Sequence, residues 1–523
     1  MRRLLLVSTV ICLSVSGAWA QKTLNVGTGG AFTSLDPHYH NLGPNNIVAN
    51  HIFDTLTQFG PHFEPLPDLA VSWTTIDPLT WEFKLRPGVT FSDGTPLTAD
   101  DVVFSFGRIP TVLNSPSSFN FAVKPITRID VVDPLTLRFH TAQPEPLMPY
   151  NLASPRIVSR KHGEGAETGD YNTLKATIGT GPYRATEAVV GDHIVFRRNE
   201  SFWGDKPYWD VVNWKLIAND ASRDAALQSG DVDMIDQVPT RDVPRLRDNP
   251  KLTILSAAGL RLIYIFVDTQ RDHSPFVTDV AGKPLDRNPL RDVRVRRALS
   301  LAINRDGIRD RIMDGFSVPT GQLMPEGTSG YDPSIKPDPY DPAQAKKLLA
   351  EAGYPNGFGL TLHGPNNRYV NDSTLAESVA QGWTRVGVKT QVDTMPATTF
   401  FSRTVKAEFS INVAGWASDT GEASSNLTWI LASSNPDKGR GAVFNPAHYA
   451  NDPLDALIEK AVSTIDPAER ETLYKQAMRM GMADEAVIPI HFQVNVFALR
   501  KGLAMRPRMQ EGIRAWEVSE VTQ

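Results

Sequence analysis

Along almost the whole chain, short runs that alternate polar and apolar residues are followed by amphipathic stretches at helical spacing, and this alternation constrains the fold more than any other feature. Residues 22–27 read as an opening strand, and Trp81 to Arg86 alternates at period two before the turn Pro87-Gly88. Val89-Thr90-Phe91 follows and leads into Ser92-Asp93-Gly94-Thr95, so the stretch predicts a hairpin. The segment 126–139 repeats the strand–turn–strand logic around Asp133-Pro134, and 193–197, 409–413 and 487–492 predict further strands. Helices are predicted over 45–57, 99–106, 221–229, 292–303, 341–352, 373–386, 452–463 and 466–482. Their ends carry capping chemistry: Thr98 is an N-cap with Asp100 and Asp101 in the first turn, where carboxylates complement the helix dipole, and Gly230, Gly353 and Gly387 close three others. Such interleaving argues for an α/β fold and against an all-α or all-β one. With 523 residues the chain is also too long for one small domain, at about 150 residues per domain.

The first twenty residues predict a signal peptide: Arg2-Arg3, an apolar run from Leu4 to Val15, and the small-x-small site Ala18-Trp19-Ala20 before Gln21. The apolar run falls short of the about 20 residues that span a bilayer. The single cysteine, Cys12, lies inside this segment, so the mature chain has no thiol for a disulfide, a zinc or iron–sulfur ligand, or a nucleophile. Losing Arg2 and Arg3 leaves 51 Lys+Arg against 58 Asp+Glu, a net charge of −7, which disfavours nucleic-acid binding. The expected location is the periplasm, as a soluble protein.

Catalytic signatures are missing. There is no Gly-x-Ser-x-Gly elbow, His-Glu-x-x-His helix or phosphate-binding Gly-x-x-x-x-Gly-Lys-Ser/Thr loop. The best metal-like constellation is Asp36-Pro37-His38-Tyr39-His40, in which His38 and His40 could share an ion if extended; the other reading is a loop with one imidazole lining a cleft. Asp231, Asp233 and Asp236 lack the bidentate Glu and placed Gly of a calcium loop. In Gly179-Thr180-Gly181-Pro182-Tyr183, Pro182 removes an N–H that a phosphate would want, so a tight chain crossing is expected there. Trp416, in Ala414-Gly415-Trp416-Ala417-Ser418-Asp419, follows an apolar strand and precedes a carboxylate, an arrangement suited to a cleft wall.

Taken in order, several segments resemble the peptide- and nickel-binding family 5 of extracytoplasmic solute-binding proteins of ABC importers. They are Leu35-Asp36-Pro37, the stretch from Trp81 through Phe91-Ser92-Asp93-Gly94-Thr95-Pro96 to Phe104, Gly179 to Tyr183, Asn199 to Trp203, Gly230-Asp231-Val232-Asp233, Val293 to Leu299, Gly415-Trp416 and Tyr449-Ala450-Asn451. The resemblance implies a type II (cluster C) periplasmic-binding-protein-like fold, with two lobes, a hinge and an extra domain in the first lobe. It places domain I at 21–55, 180–269 and 488–523, domain II at 56–179 and domain III, the second lobe, at 270–487. It further implies a monomer that captures a peptide-like small solute and delivers it to an ABC permease in the inner membrane, with no cofactor and no covalent chemistry. Family members also bind nickel complexes, heme, glutathione, oligosaccharides and opines, and an exported hydrolase is the alternative from another class. By resemblance, Asp419 would hold a peptide α-ammonium and Arg368 a carboxylate, with Trp416 and Ser418 on the cleft wall and Tyr39 or His38 reaching in from the opposite lobe. Where some oligopeptide binders carry an arginine three residues before the tryptophan, this chain has Val413.

Overall fold

The computed structural model describes residues 21–418, 420–435 and 449–521; the signal-peptide segment and Asp419 lie outside them. Among the described residues a 12-stranded sheet runs through the molecule, and its two central strands, Leu252–Val267 and Val487–Arg500, are the longest. They pair antiparallel in two blocks. Leu252 to Ala258 faces Arg500 to Val494, then the register shifts, and Leu262 to Phe266 faces Phe492 to Val487.

Packing changes character across that shift. On one side, Phe497 and Leu499 join Leu24, Val26, Phe196 and Trp214 in the core of the first lobe. On the other, alternate residues of the same strand face opposite layers, as the period of two requires. Ile263, Ile265 and Val267 pack with Ile488, Ile490 and the helices Val293–Leu301 and Asp372–Arg385. Leu262, Tyr264 and Phe266 pack with Leu427, Tyr474 and Phe492. Residues 262–267 therefore pack with the layers around 293–301, 372–385 and 427–474 rather than with the core around Leu24 and Trp214.

A separate four-stranded antiparallel sheet, in the order Ala70–Asp77, Thr80–Leu85, Thr136–Thr141, Ile126–Asp133, forms the extra domain. Its core holds Phe83, Val102, Phe106 and Phe139. The helix Ala99–Arg108 covering it starts at Thr98, whose side chain and that of Asp101 form a reciprocal capping box. The expected hairpin across Pro87-Gly88 does not form. Thr80–Leu85 pairs with Ala70–Asp77 and Thr136–Thr141, and Thr90 makes only an isolated bridge to Pro96. The helix expected over 45–57 runs from Gly43 to Ile52, because Phe53 turns extended and Thr57–Phe59 forms a strand. The expected tight crossing at 179–181 is present: Gly181 N–H donates to the Ile52 carbonyl at 2.9 Å, and a Cβ on Gly179 or Gly181 would collide with that peptide.

Candidate functional site

A cavity of about 410 Å³ lies where the two central strands shift register. The first lobe supplies Asn50, Asp54, Phe63, Arg156 and Arg514 to its walls, the second supplies Ala417 and Ser418, and Leu260 and Arg261 come from the central strand that joins them. Leu260 and Arg261 fall between Ala258 and Leu262, where pairing between the two central strands is interrupted although Arg261 still pairs with Ala417, so the cavity's back wall is the strand crossing itself. The lobes also touch beside it. Phe63, at φ +64 in the turn between Thr57–Phe59 and Pro65–Pro67, lies against Gly421 of the second lobe.

Two carboxyl groups lie on the first-lobe side. Asp54 accepts from Thr180 Oγ1 and Trp203 Nε1, both at 2.8 Å. Burial pushes its carboxyl up to about 6 against the pull of those bonds. Asp68 accepts from Thr55 N at 3.0 Å and Thr55 Oγ1 at 3.1 Å, and burial together with the nearby charge of Asp54 pushes it up to about 8. Among the described residues no histidine lines the cavity. Ser418 is not a poised nucleophile: its hydroxyl donates to the Glu422 carbonyl and accepts from Gly421 N, each at 3.0 Å. The chemistry on offer is charge and hydrogen bonding to an enclosed solute.

Of the residues named from sequence, Ser418 lines this cavity and Asp419 lies outside the described residues. Trp416 is half-buried, packs against the core around Leu262 and Tyr264, and donates from Nε1 to Ser425 Oγ at 3.2 Å. Arg368 does not line the cavity; it is exposed, with its guanidinium 5.3 Å from the Tyr369 ring, and desolvation, then the like charge of Arg261, lowers its pKa. Tyr39 lines a different hollow, with Arg108, Leu113 and Thr168.

His38 lies away from the cavity. Its ring is fully buried, Nδ1 accepts from Arg108 Nη1 at 3.1 Å and Nε2 donates to the Arg156 carbonyl at 2.8 Å. Burial, then Arg108, pulls its pKa down to about 4, so both nitrogens serve the fold and neither is offered to a solute or a metal. Asp36 is likewise spent, in a fork with Arg108 at 2.8 and 2.7 Å. Sequence reasoning missed Arg156, Arg261 and Arg514. They stand in three distant segments without a shared motif, and only the sheet brings them to one cavity.

Two lobes joined by a paired strand crossing, with a polar cavity at the crossing, define a two-lobed type II periplasmic binding protein. The family model described as bacterial extracellular solute-binding proteins, family 5 (Middle) matches residues 64–438. The chain is 30% identical to the glutathione-binding protein GsiB of Pectobacterium atrosepticum, across 100% of this chain and 99% of that protein. HbpA2 from Haemophilus parasuis superposes with a TM-score of 0.82 at 24% identity, covering 96% of this chain and 100% of that one. The periplasmic binding protein DppA from Helicobacter pylori, solved with the peptide STSA, gives a TM-score of 0.73 at 26% identity over 95% and 98% of the two chains. The chain belongs to family 5 of the bacterial extracellular solute-binding proteins. It is an extracytoplasmic binding protein that delivers a solute to an ABC permease.

Proposed function

We propose that the chain captures a peptide-like small solute between its lobes and hands it to the permease unchanged. The observation that carries this reading is the cavity at the strand crossing, walled from both lobes and furnished with charged groups, where the Ser418 hydroxyl is already engaged among the described residues. The printed names of the relatives support a peptide: one binds glutathione and another was solved with STSA. In this reading the hinge is the stretch 259–260 together with Gln493, where pairing between the two central strands is interrupted and the paired blocks on either side can rotate. The first lobe then ends near 258 and resumes near 493. Asp419 takes the solute's α-ammonium and Arg368, beside Arg261, its carboxylate. Trp416 stiffens the wall that carries Ala417 and Ser418, while Tyr39 and His38 have no part in the cleft.

A thermal-shift screen over short peptides, opines, oligosaccharides and nickel–histidine tests the proposal, because a ligand that binds only the folded state raises the melting temperature. Short peptides are expected to raise it, with Asp419→Ala abolishing the rise. A rise confined to nickel–histidine, an opine or a sugar would overturn the peptide reading.

A further inference from the structure

Besides its charged groups, the cleft cavity carries aromatic rings that the fold leaves open. Phe59, at the end of the strand Thr57–Phe59, and Phe121, in the short helix Asn120–Val123, both line it. One element brings these segments together. The strand and the short helix each pack on the helix Met148–Asn151, and Thr57 Oγ1 donates to the Pro149 carbonyl at 2.6 Å. Ala153, just past the end of that helix, lines the same cavity. Phe119 and Ala122, each 1% exposed, anchor the segment around the short helix, whereas Phe121 is 39% exposed and stands on the cavity wall. Phe59 is half-buried, and Phe63, 7% exposed, backs it with a ring 5.2 Å away.

Among the described residues the second lobe adds Ala417 and Ser418 to the lining and no ring, so small side chains approach from that side. Burying an open phenyl ring is among the larger gains a binding site can offer, and small-molecule pockets combine such rings with a few placed polar groups. Charged groups of this cavity such as Arg261 and Arg514 suit a peptide's backbone and C-terminus. The open faces of Phe59 and Phe121 suit a side chain.

We propose that the captured solute carries one large apolar side chain, seated against Phe59 and Phe121 with Ala153 beside them and covered when Ala417 and Ser418 approach on closing. This rests on the cleft being the capture site, and it narrows the solute to short peptides with a phenylalanine-, tyrosine- or leucine-like residue. A peptide of small residues leaves both rings open to water.

Isothermal titration of the full mature chain tests this, with Phe-Gly, Gly-Phe and Gly-Phe-Gly, their alanine counterparts Ala-Gly, Gly-Ala and Gly-Ala-Gly, and 3-phenylpropanoate. At least one phenylalanine peptide is expected to bind about 10- to 100-fold more tightly than its alanine counterpart, the range for burying a phenyl ring. Phe121→Ala should collapse that ratio toward one while binding of the alanine peptide persists. Because Phe121 is exposed, this variant should keep the parent's melting temperature, and Phe59→Ala repeats the test from the neighbouring strand. Equal binding of phenylalanine and alanine peptides, or a ratio that survives both substitutions, would overturn the side-chain seat and leave the peptide reading standing. Binding of 3-phenylpropanoate with none of the peptides would do the reverse, and no binding by any probe would overturn both.

Discussion

Replacing Gly421 by alanine separates closing of the lobes from folding of each lobe. Gly421 sits at φ +68, where a side chain costs about 1 kcal/mol, and that cost is the same whether the lobes touch or part. The added methyl group would also overlap Phe63 of the first lobe. Phe63 cannot readily give way, being 7% exposed, packed 5.2 Å from the Phe59 ring and itself at φ +64. Overpacking of this kind costs about 1–3 kcal/mol, and here it applies only when the lobes are in contact. Global stability should therefore fall by about 1 kcal/mol, while solute affinity falls by about 5- to 150-fold. Isothermal titration with the best-binding peptide reads the affinity, and small-angle scattering reads whether the solute still compacts the molecule. Phe63→Gly in the Gly421→Ala background, which also removes the Phe63 Cβ that the new methyl group meets first, should recover most of the loss, as coupling between touching residues requires. Unchanged affinity in Gly421→Ala, or a loss that the double variant does not recover, would refute the reasoning.

Two further outcomes follow from buried charges in the first lobe. Arg108→Met leaves the 2% exposed Asp36 carboxylate without its fork, and urea unfolding should show a loss of about 3–5 kcal/mol, largely recovered by adding Asp36→Asn. Asp68→Asn should change the pH dependence of stability. Because the folded pKa of Asp68 is raised to about 8, the folded state holds a proton that the unfolded state has already released, and the parent loses stability as pH rises from about 4 to 8. The variant lacks this loss, so its melting temperature relative to the parent should be higher at pH 9 than at pH 4; an equal difference at both would refute the assignment.

Local chemistry was the legible part of the sequence. The N-cap at Thr98, the helices beginning near 341 and 466, and the close chain crossing at Gly179 to Gly181 all depend on neighbouring residues, and the structure forms each of them. Where pairing partners are remote, sequence pattern misled. Pro87-Gly88 has good turn chemistry, yet the strand before it satisfies its backbone with 70–77 and 136–141. The hinge strand Leu252–Val267 escaped notice because Ala257-Ala258-Gly259 interrupts its apolar alternation at the point where its register shifts. Burial was equally invisible: His38 has the type and setting of a ligand, and only tertiary packing shows that Arg108 and the Arg156 carbonyl occupy it. The cavity arginines lie 105 and 253 residues apart along the chain, at 156, 261 and 514, and no local pattern connects them.

Native mass spectrometry of the mature protein purified from its own periplasm tests the central claim most directly. Capture between the lobes predicts a one-to-one adduct that dissociates on activation to a small peptide. An adduct with the mass of a nickel chelate, an opine or a sugar would contradict it.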